Sequence, residues 1–306
     1  MRIAVLGAGA MGRLFAAGLS RANDVVLLGR SKQKLAPLAE NGVTVHEQDG
    51  SSYTAHPDVR IAGETCESVE LIVVFVKAMG TREALDACRN LIGEETCVLT
   101  LQNGGGHEDV LSEYVPMERV LIGTTQHNAS VREDGSVFHG GSGHTVIGCP
   151  LGESAYAKRA ARAFADAGFS AEASGNVREA VWRKLMTNVS LSALTGVFKS
   201  PMGFITESPS AWALCERLIR EAVAVAEADG VHFNAEEKIA EVRAVSVNGP
   251  MGITSICADL RNGRKTEVDT ITGCVVRAAK RLGVSAPCHE MMRLLIHAME
   301  DQNDLK

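Results

Sequence analysis

The chain predicts an α/β protein whose N-terminal half alternates strands and helices and whose C-terminal half is all-helical. Three observations lead there. The aliphatic run "RIAVL" opens the chain and passes directly into the glycine-rich "GAGAMG" and a helical stretch. Further apolar, β-branched runs, "DVVLLGR", "LIVVFV" and "CVLTL", recur through the first half. Beyond a break at 174–176 ("SGN") the apolar residues take up helical spacing. An aromatic content of only 4% also leans away from an all-β fold.

At 306 residues the chain is long for a single core, so two domains are expected, 1–174 and 175–306. Hydrophobic content of 45% and charged content of 22% are those of an ordinary soluble protein. A net charge of -6 argues against broad nucleic-acid binding. The longest purely apolar run, 71–76, is far too short to span a bilayer, and the N-terminus lacks the apolar region and cleavage site of a signal peptide. The eight cysteines (Cys66, Cys88, Cys97, Cys149, Cys215, Cys257, Cys274, Cys288) form no CxxC pair and read as reduced thiols of a cytoplasmic protein. The nine histidines show no ligand spacing, so no metal site is expected.

"RIAVL" reads as a buried strand, and the loop that follows (Gly7, Ala8, Gly9, Ala10, Met11, Gly12) leads into the helical "RLFAAGLSRA". In a Rossmann-type dinucleotide-binding domain such glycines have separate tasks. Gly7 permits the tight turn, Gly9 lets backbone approach a pyrophosphate, and Gly12 lets helix pack closely on strand. GxGxxG alone is weak, but between an N-terminal strand and a helix it becomes strong. A plain glycine turn is the bland alternative.

The second strand, 24–30, bears on the cofactor. NAD-binding units usually end it with a carboxylate for the ribose 2′-hydroxyl. Here Gly29 and Arg30 stand there, with Ser31, Lys32 and Lys34 behind. A guanidinium suits a 2′-phosphate, so NADPH is the expected cofactor. The alternative, a solvated basic helix start, is weaker because basic residues favour helix C-termini.

Ligands in open α/β sheets bind beyond the carboxyl ends of strands. Lys77 follows "LIVVFV", and Gln102 and Asn103 follow "CVLTL" into a triple-glycine loop. An amide there orients a nicotinamide or a substrate oxygen, or is ordinary Asn-Gly turn chemistry. Residues 120–148 alternate strand-like runs with Asp-Gly and glycine-rich turns, suggesting antiparallel hairpins. A helix at 153–167 and a strand, "FSAEA", come next.

In the second half helices are expected near 177–195, 208–229, 235–246, 269–282 and 286–300, and a crevice at the junction of the halves would suit a small-molecule site. In "VWRKLMTNVSLSALTG" (181–196), Val181, Trp182, Leu185, Met186 and Val189 mark a buried helix face. Lys184, Asn188 and Ser192 stand four apart and stack on one stripe beside it, at roughly 100° per residue. A lysine there is either a functional group or a snorkelling side chain whose head reaches water. Segment 252–269 reads as a short helix, an Asn-Gly turn and a new helix. Ser255 is its notable serine and a candidate helix cap, and "TEVD" fits a capping box of Thr266 with Asp269, a structural reading of Glu267's surroundings.

Taken in order, "GAGAMG", "GR" after the second strand, "VKA", "QNG", "GTTQH", "WRKLMTN" and "TSICADLRNGRKTEVD" resemble the ketopantoate reductase family over nearly the whole chain. The resemblance implies reduction of 2-dehydropantoate to pantoate with NADPH. It matches Lys184 to the catalytic lysine and Glu267 to the active-site glutamate. Asn103, Asn188 and Ser255 match substrate-contacting positions, and Arg30 and Lys77 match basic residues near the cofactor's phosphate. One departure stands out: members often carry "NxxxNPLTA" after the lysine, where this chain reads "NVSLSALTG". Ser192 replaces a substrate-binding asparagine and Ala193 a proline. A single hydroxyl offers less than an amide, which points to a different 2-oxo acid or a filling water.

The chemistry so implied is hydride transfer to the ketone carbon, with the Lys184 ammonium stabilising and then protonating the developing alkoxide. Partial burial would bring its pKa towards working pH. The expected partner is a small-molecule 2-oxo acid, with a homodimer open as the assembly and neither nucleic acid nor membrane involved. The rivals are a reductase of the same build acting on another 2-oxo acid, a non-catalytic NADP(H)-binding regulator, and an amine-requiring opine-type enzyme.

Overall fold

The computed structural model describes residues 1–64 and 67–305; Cys66 lies outside the described residues. The chain forms two compact units, one of Met1–Gln102 and His107–Ala180, the other of Asn103–Gly106 and Val181–Lys306.

The strands of the first unit are, in chain order, β1 (Arg2–Leu6), β2 (Asp24–Gly29), β3 (Val43–His46), β4 (Ser52–Ala55), β5 (Asp58–Ile61), β6 (Val69–Val74), β7 (Ile92–Thr100), β8 (Val120–Thr125), β9 (Asn128–Val131), β10 (Val137–Gly141), β11 (Thr145–Gly148) and β12 (Ala171–Ala173). Its helices are α1 (Ala10–Leu19), α2 (Lys32–Asn41), α3 (Thr81–Ala87), α4 (His107–Leu111) and α5 (Ala155–Asp166). Eight strands make the main sheet in the order β12-β11-β8-β7-β6-β1-β2-β5. Its pairings are parallel except β8 with β11. The continuous apolar runs of β1 and β6 are explained by this: strands in the middle of a parallel sheet are covered on both faces.

Because β1, β2 and β6 are parallel neighbours, their carboxyl ends bring the turns after Leu6, Gly29 and Val74 to one edge of the sheet. Helix α1 packs against the sheet through Phe15, fully buried and stacked on Phe75 and Phe169 with ring centroids 4.9 and 4.7 Å apart. The approach is close enough to demand glycine. A Cβ on Gly12 would stand 1.7 Å from the Gly7 carbonyl oxygen, and Gly7 itself has φ +110.

Of the expected antiparallel hairpins, β9 and β10 form one between consecutive strands, while β8 pairs with β11 across them, and the two pairings lie in different sheets. Strands β8 and β11 pair antiparallel in the main sheet, whereas β9 and β10 join β3 and β4 in a second sheet of order β4-β3-β10-β9. That small sheet is not apparent in the sequence, because β10 pairs parallel with β3, some ninety positions earlier. Pairing at that separation leaves no local trace.

The second unit is helical: α6 (Val177–Thr187) from Val181 onward, then α7 (Ala193–Phe198), α8 (Met202–Glu207), α9 (Pro209–Ala228), α10 (Ala235–Asn248), α11 (Ser255–Arg261), α12 (Val268–Leu282) and α13 (Pro287–Asp304). Its core takes Trp182, Leu185, Met186 and Val189 from the expected buried face and joins them to Ile219, Val225, Ile271 and Ile296. Trp182 Nε1 donates to Asp229 Oδ2 (3.1 Å), and Glu221 of α9 accepts the N–H groups of Cys288 (3.0 Å) and His289 (3.1 Å) at the start of α13.

The stretch expected as one helix over 177–195 is interrupted. Residues Asn188–Ser192 form a π turn between α6 and α7. Hydroxyls bond back into the ladder here, Ser190 Oγ to the Met186 carbonyl (2.6 Å) and Thr195 Oγ1 to the Leu191 carbonyl (2.7 Å). Such back-bonding distorts helices, and single π turns recur at functional sites. Among the described residues no helix is long and apolar enough to cross a membrane.

Phe15→Ala should cost about 3–5 kcal/mol of stability, as expected for emptying a ring-sized space in a packed core. Urea denaturation followed by circular dichroism measures this, and an unchanged midpoint would show that α1 is not held by that ring.

Candidate functional site

Two groups of residues emerge, one in each unit. In the first unit a groove of about 610 Å³ runs along the carboxyl ends of β1, β2 and β6. Gly7, Ala8, Gly9, Gly29, Arg30, Ser31, Lys34 and Lys77 line it. Of the expected cofactor residues, Ala10, Met11 and Gly12 lie just behind, in the first turn of α1. Nothing stands within 4 Å of a Cβ built on Gly9, so the chain is cut back where the groove is open. Gly9 also provides no side-chain cap for α1, leaving that helix's leading N–H groups directed to the groove end, a geometry that suits an anion.

Arg30 is exposed at the rim, and its Nη1 lies 3.2 Å from Glu83 Oε2 on α3. Both side chains line the groove. The end of β2 has no carboxylate of its own, but the fold supplies one from 53 positions away. Neither periodicity nor motif marks Glu83, so sequence reasoning missed it. Ser31 caps α2 by accepting from Lys34 N (3.4 Å), while Lys32 is exposed and stands outside the lining. The turn after β6 places Met79 and Gly80 in the groove with Lys77.

Gln102 is committed to structure. Its Nε2 donates to the Val76 carbonyl (2.6 Å) and Thr81 Oγ1 (3.0 Å), and its Oε1 accepts from Thr100 Oγ1 (2.7 Å). It thereby ties the ends of β6 and β7 and fixes the turn that bears Lys77.

The second group lies in the helical unit. Lys184, near the end of α6, is half-buried, and protein crowds its ammonium. Desolvation lowers its pKa to about 8, against the opposing field of the Glu267 carboxylate, which favours the charged form. Glu267 is half-buried immediately before α12. Asn188 opens the π turn, half-buried, and Ser192 closes it, 5% exposed. The expected three-residue stripe is therefore altered: a π turn advances by less rotation per residue than an α turn, so Ser192 departs from the line through Lys184 and Asn188. Helix α12 packs against that turn.

Asn103 belongs with this group. The loop Asn103–Gly106 rests on the first turn of α12, where Gly105 N donates to the Thr270 carbonyl (2.9 Å). Gly104, at φ +104, would place a Cβ 2.1 Å from that same oxygen. Thr270 N in turn donates to the Glu267 carbonyl (3.1 Å), so Asn103 and Glu267 are held by one helical turn. Ser255 is the first residue of α11 and exposed. The cap of α11 is Thr254, which accepts from Cys257 N (3.4 Å), so the suggestion that Ser255 caps the helix is corrected. Thr254 Oγ1 also meets Thr195 Oγ1 (2.8 Å), linking α11 to α7.

The suggested capping box does not form either. Thr266 Oγ1 does accept from Val268 N (3.2 Å), but the Asp269 carboxylate is taken by Arg293 Nε (2.7 Å) and His297 Nε2 (3.2 Å). Thr266 N donates instead to Glu300 Oε1. Glu300, like Glu83, was absent from the sequence-derived candidates, because its partner lies 34 positions away, in the segment that leads into α12.

Glu267→Gln should remove the field that supports the charged lysine, so Lys184 should titrate below about 8. Nuclear magnetic resonance of ¹³Cε-labelled lysine reads that midpoint; a value unchanged or higher would contradict the coupling.

Comparison with known proteins adds to this geometry. Residues 3–152 match the family model described as "Ketopantoate reductase PanE/ApbA", and 176–300 match "Ketopantoate reductase PanE/ApbA C terminal". A 2-dehydropantoate 2-reductase of Halobacterium salinarum is 34% identical over 94% of this chain and 95% of its own length. One of Lactococcus lactis is 30% identical over 98% of each. Among solved structures, a D-mandelate dehydrogenase with NADH and anilino(oxo)acetate is similar at 30% identity and TM-score 0.91, covering 99% of this chain and 100% of that one. A PanE/ApbA family ketopantoate reductase from Ralstonia eutropha is similar at 27% identity and TM-score 0.89, with 99% and 100% covered.

Proposed function

The chain belongs to the ketopantoate reductase family, a family of oxidoreductases, and from that premise we propose that it reduces a 2-oxo acid to the 2-hydroxy acid with NADPH, ketopantoate to pantoate being the leading reaction. The observation that supports this most is the Lys184 ammonium, brought by burial to about 8 within the field of Glu267. Near neutral pH such a group remains largely protonated and yet gives up its proton readily, which is what a general acid requires.

The groove of the first unit fits a dinucleotide. It combines an open space before Gly9, an uncapped helix start, and the cations Arg30, Lys34 and Lys77 at its rim. In this reading α1 and the Gly7–Gly12 loop hold the pyrophosphate, while Arg30 and Lys77 grip the 2′-phosphate. NADPH, when bound, supplies the hydride that the ketone carbon accepts. Lys184 stabilises the negative charge gathering on the ketone oxygen and transfers one proton to it; the neutral amine is reprotonated from solvent. Asn103, Asn188 and Ser255 hold the carboxylate and carbonyl of the substrate, and Glu267 accepts a hydrogen bond from a substrate hydroxyl while supporting the charged lysine.

A second reading concerns the substrate. Ser192 stands where the resemblance leads one to expect asparagine, and the likeness to D-mandelate dehydrogenase is strong at a TM-score of 0.91. Both favour an aryl or branched 2-oxo acid as the alternative. Rates of NADPH oxidation with a panel of 2-oxo acids separate the two readings. Cofactor bound with no acid reduced would instead favour the non-catalytic regulator.

Lys184→Ala should lower turnover by about 10²–10⁴-fold, the usual contribution of a general acid, and intact turnover would refute the assignment. The donor must be protonated, so kcat/KM for reduction should be level below and fall above about pH 8. Glu83→Gln bears on the cofactor. Removing a carboxylate that competes for Arg30 and repels a phosphate should raise the NADPH-to-NADH ratio of kcat/KM by up to about fivefold, the equivalent of an exposed ion pair. An unchanged ratio would remove Glu83 from cofactor choice.

A further inference from the structure

The start of α12 is fastened from outside its own segment. Thr266, the residue before Glu267, donates both its N–H and its Oγ1 hydrogen to Glu300 Oε1 on α13, each at 2.7 Å. Glu300 is only 4% exposed. Its second oxygen meets His297 Nδ1 at 3.1 Å, and His297 Nε2 meets Asp269 Oδ1 at 3.2 Å. Arg293 Nε also donates to Asp269 Oδ1 (2.7 Å), so three side chains of α13 grip the residues on either side of Glu267 and its neighbour Val268. A capping box would have bonded the Thr266 N–H from within the helix; here that bond comes from a helix with its own anchor, the Glu221 cap at Cys288 and His289.

Burying a carboxylate is costly unless it is well bonded, and on an exposed helix start a local cap would suffice. What the distant carboxylate adds is placement. It fixes the turn of backbone from which Glu267 projects and on which the Asn103–Gly106 loop rests through Thr270.

We propose that Glu300 is a positioning residue for the substrate-side cluster, setting Glu267 relative to Lys184 through Thr266, with His297 completing the link to Asp269. The inference rests on the proposed reduction of a 2-oxo acid and adds to it a residue outside the cluster. Among the described residues none of α12 or α13 lines the groove of the first unit, so the inference predicts an effect on the oxo acid and the proton donor and none on NADPH affinity.

The test compares Glu300→Ala and Glu300→Gln with Glu267→Gln in the full-length chain, measuring kcat/KM for the preferred oxo acid across pH and NADPH affinity by fluorescence. Glutamine keeps an oxygen to accept from Thr266 and an amide to donate to His297. Glu300→Ala should lower kcat/KM by about 100-fold, as for a misplacement near 1 Å, and move the fall in the pH profile below the wild-type midpoint as Glu267 withdraws from Lys184. NADPH affinity should hold, and Glu300→Gln should recover most of the loss. Wild-type kcat/KM and midpoint in Glu300→Ala, while Glu267→Gln is impaired, would overturn the inference and leave the functional reading standing. Wild-type behaviour of Glu267→Gln would instead remove Glu267 from that reading. A parallel loss of NADPH affinity, or a glutamine variant as impaired as alanine, would also overturn it. Should Glu300→Ala fail to fold, Thr266→Val decides in its place: it deletes one of the two bonds, and an unchanged kcat/KM and midpoint would be fatal.

Discussion

The candidate site in the helical unit depends on one constraint, the fixed first turn of α12. The Thr270 carbonyl accepts from Gly105, and the Thr270 N–H bonds the Glu267 carbonyl, so the loop carrying Asn103 and the residue carrying the carboxylate share a few backbone atoms. A methyl group on Gly104 would collide with that carbonyl, so the seat tolerates no side chain. Moving this turn moves Asn103 and Glu267 together, and with them the field felt by Lys184.

That field is balanced against burial. An ammonium removed from water loses hydration that favours its charge, and a carboxylate nearby restores part of it. The value of about 8 reflects desolvation as the larger effect, with Glu267 opposing it. The π turn after α6 adds to this arrangement by setting Asn188 and Ser192 on different lines, although four-residue spacing would have stacked them. Hydroxyls of Ser190 and Thr195 bonded into the ladder accompany that break.

In the first unit the parallel order of β1, β2 and β6 has a comparable role. It collects three turns at one edge, and Gln102, bonded to Val76, Thr81 and Thr100, holds the third of them in place. The groove that results presents cations, but Arg30 is already paired with Glu83. Under the proposed reading, a cofactor phosphate would compete with the Glu83 carboxylate for one exposed guanidinium.

The sequence by itself determined whatever rests on local repetition. Strand runs buried on both faces, the glycines at 7, 9 and 12, the helical periodicity beyond 174–176 and the buried face from Trp182 to Val189 all follow from spacings within a few residues, where side-chain direction is dictated by the backbone period. Lys184 could be singled out in the same way, as a cation on a stripe next to that face. Tertiary structure alone decided what pairs across distance: the β10–β3 pairing and its small sheet, Glu83 beside Arg30, Gln102 as a tie rather than a ligand, Thr254 rather than Ser255 as the cap, and Glu300 in place of the expected capping box. Contacts of this kind join residues 26 to 92 positions apart or turn on which of two neighbouring hydroxyls reaches an N–H, and neither is encoded in a local period.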